Sequence, residues 1–274
     1  MKAAVAQVKL YNNIEANLIT ISKYISRASK EDIDILCFPE CNITGYVCDF
    51  SKVDQKKLME TVDIIQEQVT KAGVNVIVGA PYFEREKCFN SAIVLLTNGE
   101  RYIYHKINLT SSEEAYFKKG KEPLIFQLGE VKFGVLICRD QNDSILAKRY
   151  KTLGADAIFI LSAHFYEPIE AIRKLNKNRA LPIARAVENN LFVLKVNAVG
   201  SINEFISLGG SLIINPEGFV VREGDNVNET VLSYEISRRE KKPRDFTRLT
   251  QENMPDTGYR FNLHLCILHL HNSS

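Results

Sequence analysis

Short apolar runs of strand length alternate with amphipathic runs of helix length along this chain, and that alternation confines the fold more than any other feature. Residues 3–8 read as a strand, and residues 13–28 as a helix with Ile14, Leu18, Ile21 and Ile25 on one face. Residues 33–38 form a second strand, 57–72 a second helix with Val62, Ile65 and Val69 on one side, and 74–80 a strand rich in β-branched residues. Asn98-Gly99, a strong hairpin turn, joins runs at 91–97 and 101–105. Strands at 131–138 and 157–161 flank a helix at 145–153, and a helix at 180–189 precedes a strand at 191–196. Pro216-Glu217-Gly218 turns the chain between 211–214 and 220–222. This β-α-β order with inserted antiparallel hairpins predicts an α/β sandwich, a mixed sheet or two packed sheets with helices outside.

Composition narrows the classes of function. The chain has 274 residues, 45% hydrophobic and 25% charged, enough for a sizeable core. A net charge of +2, from 35 basic and 33 acidic residues, provides no field that would attract nucleic acid or a membrane surface. No run approaches the roughly 18 apolar residues of a spanning helix. The apolar start is too short for a signal-peptide core. Cys37, Cys41, Cys48, Cys88, Cys138 and Cys266 therefore read as reduced thiols of a cytoplasmic protein. The spacing of the first three matches no common zinc pattern, and no metal is expected. Residues 1–274 are expected to form one domain, with 236–274 as a C-terminal extension or arm. Its stretch 263–271 carries three histidines and reads as an amphipathic strand, or an arm that docks on a partner subunit.

Three segments carry chemistry-bearing residues. Cys138 ends the apolar run 131–138, and a polar stretch at 139–144 follows at once. A strand that turns directly into a helix presents its last side chain on a sharp elbow, where the free N–H groups of the helix favour a thiolate and then an oxyanion. Glu40 follows the strand 33–38 and is fixed by Pro39, so a carboxylate stands at the mouth of the sheet, placed for proton transfer. Lys106 closes the second hairpin strand. Taken singly, these residues read as a core thiol, a surface acid and a solvated edge charge.

Together the three segments resemble the glutamate, lysine and cysteine motifs of the nitrilase superfamily, the carbon–nitrogen hydrolases. Phe38-Pro39-Glu40 with Gly45-Tyr46 is similar to the first motif; Tyr104, Lys106, Leu109, Glu113, Phe117 and Gly120 to the second; Gly134, Cys138 and Asp140 to the third. Asn90-Ser91-Ala92, the stretch from Arg179-Ala180 through Arg185-Ala186-Val187-Glu188-Asn189, Asn197 with Val199-Gly200, Gly210-Ser211 and Pro216 with Gly218 also resemble the family, so the likeness spans roughly residues 3–235. After the cysteine motif the chain departs from the usual pattern, with Asp143, Ser144, Ile145 and Lys148 where the family often has an aromatic residue, Pro-Glu and Arg. Arg139 stands where the nitrile-hydrolysing branch typically has Trp-Glu, which leans towards amides.

The resemblance implies a four-layer α-β-β-α sandwich with two mixed sheets, a homodimer or higher homo-oligomer, no cofactor and a small-molecule amide substrate. It implies hydrolysis of a non-peptide carbon–nitrogen bond to acid and ammonia, with Cys138 as nucleophile, Glu40 as base and Lys106 as oxyanion stabiliser, through a thioester. Glu113 matches the second glutamate that orients substrate and Lys106, by its spacing from Phe117. Arg139 and His164 are expected substrate-binding residues: an Arg139 side chain facing the pocket would suit a carboxylate, and one facing solvent would not. Alternatives within the family are an N-carbamoyl amine hydrolase or a nitrile hydrolase. Tyr46 and Asp49 resemble the glutaminase unit of glutamine-dependent NAD synthetase, whose second domain would not fit in this length. Outside catalysis, the alternative is an idle binding module.

Overall fold

The structure, a computed structural model, describes residues 1–46 and 49–238. Among the described residues, fourteen strands and four α-helices alternate as the sequence pattern requires. Six strands form the first sheet: β1 (Lys2–Gln7), β2 (Ile35–Cys37), β3 (Asn75–Glu84), β4 (Lys87–Leu95), β5 (Arg101–His105) and β14 (Thr230–Glu235), in the order β14-β1-β2-β3-β4-β5. The second contains β6 (Ile125–Leu128), β7 (Val131–Ile137), β8 (Ala157–Ser162), β9 (Phe192–Asn197), β12 (Leu212–Ile214) and β13 (Val220–Glu223), in the order β13-β12-β9-β8-β7-β6. Both sheets are mixed: β1-β2-β3 and β7-β8-β9 are parallel, and the outer strands run antiparallel. β10 (Val199–Ile202) and β11 (Phe205–Leu208) make a separate hairpin.

Burial explains the layers. Along β7, Phe133, Val135 and Ile137 point into a core shared with Ala3 and Val5 of β1 and Ala92 and Val94 of β4, so the two sheets pack face to face. The alternate residues Ala4 and Ala6 meet α1 (Ile14–Lys30) and α2 (Gln55–Ala72). Leu136, Ile158 and Ile160 meet α3 (Ser144–Thr152) and α4 (Pro168–Asn189) through Leu146, Tyr150 and Ala186. Strands covered on both faces are apolar throughout, which is why the sequence shows continuous runs rather than alternation. The result is the expected four-layer α-β-β-α sandwich. No described helix is long and apolar enough to cross a membrane.

Several expectations shift. The helix expected at 180–189 begins instead at Pro168, with proline in its first turn. Its first half, with exposed Ile169 and Ile172, carries too little buried apolar surface to reveal a helical period. The strands β6, β10, β11 and β14 were not legible, being short or dependent on a distant partner: β14 is fixed by pairing with β1, over 220 residues away. Ile236 is buried and its N–H bonds Met1 O at 2.7 Å, so the start of the expected extension belongs to the compact unit Met1–Arg238. The rest of the expected arm, including 263–271, lies outside the described residues, as do Cys48 and Cys266.

One buried cation repairs a defect in α4. Pro182 sits inside that helix and has no N–H, so the carbonyl of Asn178, four residues earlier, lacks its helical donor. Lys195, on the helix-facing side of β9 and 1% exposed, donates its Nζ to Asn178 O at 2.9 Å. Burial lowers the Lys195 amine to about 8. The Lys195→Met and Pro182→Ala substitutions should therefore couple: restoring the N–H at 182 gains about 1–3 kcal/mol more in the Lys195→Met background than in the natural chain, measured by urea denaturation. Because the folded amine binds its proton more weakly than the unfolded one, stability relative to Lys195→Met should rise as pH increases from about 8 towards 10.5.

Candidate active site

The carboxyl ends of β2 and β7 and the end of β5 deliver three side chains to one place. β2 stops at Cys37, Phe38 N–H bonds Ile77 O of β3 at 2.8 Å, and Pro39 turns the chain so that Glu40 points inward, 1% exposed. That turn lies directly on β3: a Cβ on Gly79 would sit 2.4 Å from Pro39 O and 2.5 Å from Cys41 N. Cys41 takes a positive φ of 52°, and Ile43 N–H bonds Gly79 O at 3.0 Å. Lys106 follows β5, its N–H on Asn90 O at 2.8 Å and its carbonyl held by Gly120 N–H at 2.8 Å.

Lys106 Nζ stands 2.7 Å from Glu40 Oε1 and 2.7 Å from Glu113 Oε1, all three side chains almost fully buried. Asn90 Nδ2 donates to the same two oxygens at 2.8 and 2.9 Å. The other Glu40 oxygen accepts Ala163 N–H at 3.1 Å, and the other Glu113 oxygen accepts Thr110 N–H at 2.8 Å. Tyr46 adds its hydroxyl to Glu113 at 3.3 Å. Burial disfavours every charge here, but the carboxylates hold Lys106 well above its ordinary range. Burial likewise opposes ionisation of Glu113, yet Lys106 brings it below the usual carboxylate range. Glu40 goes the other way: burial, with Glu113 beside it, raises it despite the pull of Lys106.

Cys138 sits just beyond β7, partly open, on a residue with φ 45°. Buried Asp140 fastens this strained bend. Its Oδ2 accepts Ile137 N–H at 3.0 Å and the Tyr104 hydroxyl at 2.7 Å, and its Oδ1 accepts Asn108 N–H at 2.7 Å. Arg185 of α4 holds the same turn by donating Nε to Gln141 O at 2.8 Å. Gly134 lets the Tyr150 ring lie against β7, since a Cβ there would be 2.4 Å from a ring carbon. Burial raises the Cys138 thiol well above its ordinary range; Glu40, with which it interacts directly, adds to that, and Lys106 opposes it.

The helix expected at 145–153 is found at Ser144–Thr152, but its N–H groups do not serve the nucleophile as expected. A five-residue 3-10 turn, Cys138–Asn142, follows the strand, and α3 starts only at Ser144, capped by Asp143. The N–H groups of α3 are therefore spent on Asp143 rather than on the sulfur, and the thiol is held protonated.

The structure thus brings Glu40, Lys106, Glu113 and Cys138 together. It does not bring Arg139 with them: that side chain is exposed and its charge acts on Glu114. His164 is buried beside Tyr166, Lys195 and Asn197 in a different cavity of about 160 Å³ against α4, where burial keeps it well below its ordinary range. Asn90 was missed as a site residue; its place in the family-like stretch Asn90-Ser91-Ala92 was the available clue.

The sequence model of the carbon-nitrogen hydrolase family matches residues 2–242, and the chain belongs to that family. It is 28% identical over 270 residues to the "probable nitrilase" of Schizosaccharomyces pombe, covering 93% of this chain and 97% of that one. It is 26% identical over 233 residues to an (R)-stereoselective amidase of a Pseudomonas species, covering 83% and 82%. The crystal structure of an amidase from Nesterenkonia sp. shares the fold with a TM-score of 0.77 at 22% identity, over 85% of this chain and 89% of that one.

Gly79→Ala should displace the Glu40 turn, because the atoms in the way are backbone. Expected are a loss of about 1–3 kcal/mol in unfolding free energy by urea denaturation and loss of the Glu40–Lys106 contact in a crystal structure of the variant.

Proposed function

We propose that this carbon–nitrogen hydrolase is an amidase that converts a small amide to acid and ammonia, with Glu40, Lys106 and Cys138 as its catalytic residues. The observation that carries this reading is the sharing of one buried ammonium, Lys106, between Glu40 and Glu113 beside a partly open thiol. The amidase among the relatives and Arg139 in place of Trp-Glu favour an amide over a nitrile.

Each group has a distinct task. Glu113, ionised and fixed by Lys106, Asn90 and Thr110, holds Lys106 in place. Glu40, raised by burial, is a carboxylate basic enough to take the thiol proton yet able to return it. As the sulfur attacks the carbonyl carbon, Glu40 accepts the S–H proton. The oxyanion forms against the third N–H of Lys106 and the backbone N–H of Arg139. Glu40 then gives the proton to the departing nitrogen; the C–N bond breaks, ammonia leaves and a thioester remains on Cys138. Water, deprotonated by Glu40, attacks the thioester, and the acid leaves as the sulfur regains its proton.

Ammonia release from a panel of amides tests this reading. Cys138→Ala should abolish turnover, Glu40→Gln should lose about 10²–10⁴-fold, and Lys106→Met about 10²–10³-fold. Mass spectrometry should find the acyl group on Cys138, and unchanged turnover in Cys138→Ala would reject the mechanism. The base must be ionised, so kcat/KM should fall as pH drops through a Glu40 value above 4.5. No alkaline loss from Lys106 is expected below pH 10.5, because its proton is held well above that value.

A further inference from the structure

An aromatic-walled cavity beside the cluster says what kind of amide fits. It encloses about 500 Å³ and is walled by Tyr46, Phe50, Tyr116, Phe117, Phe165 and Phe205. It adjoins the catalytic cluster: Glu113 lines it, and Tyr46, whose hydroxyl bonds Glu113 at 3.3 Å, lies within electrostatic reach of Glu40 and Cys138. Phe165 enters from the same loop as Ala163, the residue whose N–H holds Glu40, and the Phe165 N–H bonds Ala163 O at 2.9 Å. The wall is braced ring on ring. Phe50 packs against Phe117 with centroids 4.6 Å apart, and Tyr46 meets Phe50 edge-on at 5.8 Å.

Charge is as informative as shape. Among the described residues lining the cavity, Glu113 is the one charged side chain, and its charge is taken up by Lys106. No lysine or arginine is among the described residues that line it. Arg139 is exposed and its charge acts on Glu114, which is paired with Lys119 at 2.7 Å. A carboxylate carried into this space would lose its water beside a negative glutamate, with no cation among the described residues lining the cavity to pair with it.

We propose that this cavity receives the acyl group of the amide, and that the acyl group is neutral and apolar: an alkyl or aryl-alkyl chain, not one ending in a carboxylate. The inference rests on the amidase reading and specifies its substrate. Each methylene buried against the aromatic wall adds about fourfold to kcat/KM, until the space is full. It also assigns Phe205, at the rim of the cavity and 38% exposed, as a specificity-determining residue.

The test compares ammonia release by the purified full-length enzyme from acetamide, butanamide, hexanamide, 3-phenylpropanamide, glutaramate and 6-aminohexanamide. Expected are a kcat/KM that climbs with chain length from acetamide to hexanamide and a hexanamide-to-glutaramate ratio of at least about 100-fold, consistent with leaving a buried charge unpaired. Phe205→Arg should lower that ratio at least tenfold by supplying a cation at the rim, with its folding checked by thermal unfolding. The wild-type series decides by itself if that variant is unstable. A flat chain-length profile, or glutaramate or 6-aminohexanamide as the better substrate, with Cys138 acylated in mass spectrometry, overturns the apolar assignment and leaves the amidase reading standing. If no amide yields ammonia and Cys138 carries no acyl group, both are overturned.

Discussion

The ammonium of Lys106, enclosed between two carboxylates and cut off from water, is the contact around which this molecule is organised. Burying one charge costs several kcal/mol, and burying three is tolerable only when each is paired and every remaining lone pair has a donor. Here each carboxylate is met from several directions: Glu40 by Lys106, Asn90 and the Ala163 N–H, Glu113 by Lys106, Asn90, Tyr46 and the Thr110 N–H. Those donors come from β4, from the ends of β5 and β8, and from the loops after β2 and Lys106. The charge cluster thus fixes the two sheets in register at one end, while the apolar layer between them fixes their separation.

The same arrangement divides the protons. With Glu113 committed to Lys106, Glu40 is left as the group whose proton can move, and burial brings it nearer to the range in which a carboxyl both accepts and donates. The thiol opposite is held neutral, unlike a cysteine activated by a helix terminus. In the proposed reaction, a neutral thiol beside a carboxylate makes proton removal part of the chemistry rather than a property of the resting site. The strained bend at Cys138 is kept by Asp140 and, at one remove, by Tyr104 and Arg185, none of which bonds Glu40 or Glu113 in the described bonds.

Legibility in the sequence followed the range of the interactions. The long elements α1, α2, β3, β4, β7 and β8 were readable because each carries its own period of burial. Glu40, Lys106 and Cys138 could be marked because each follows an apolar strand and the ordered motifs around them match a family. β14 could not be read, since nothing local distinguishes 230–235 until β1 lies beside it. The early turns of α4 were hidden because that half of the helix is mostly solvated, and its proline is made tolerable by a lysine on another element. Asn90 stood in a family-like stretch at the start of a hairpin strand, but its position between two carboxylates was set by the packing of distant segments.

By itself, the sequence determined the alternation of elements, the two-sided burial of the central strands and the residue types that stand at strand ends, because those properties are written in spacings of a few residues. Tertiary structure alone decided which strand ends converge, that Arg139 faces solvent while His164 is closed into another cavity, and that the wall above Glu113 is aromatic and free of cations among the described lining residues. Side-chain direction at a turn depends on the packing of segments far apart in the chain. The Cys138 bend, at φ 45° and tied to Tyr104 and Asn108 through Asp140, is set by contacts that no local stretch of residues contains.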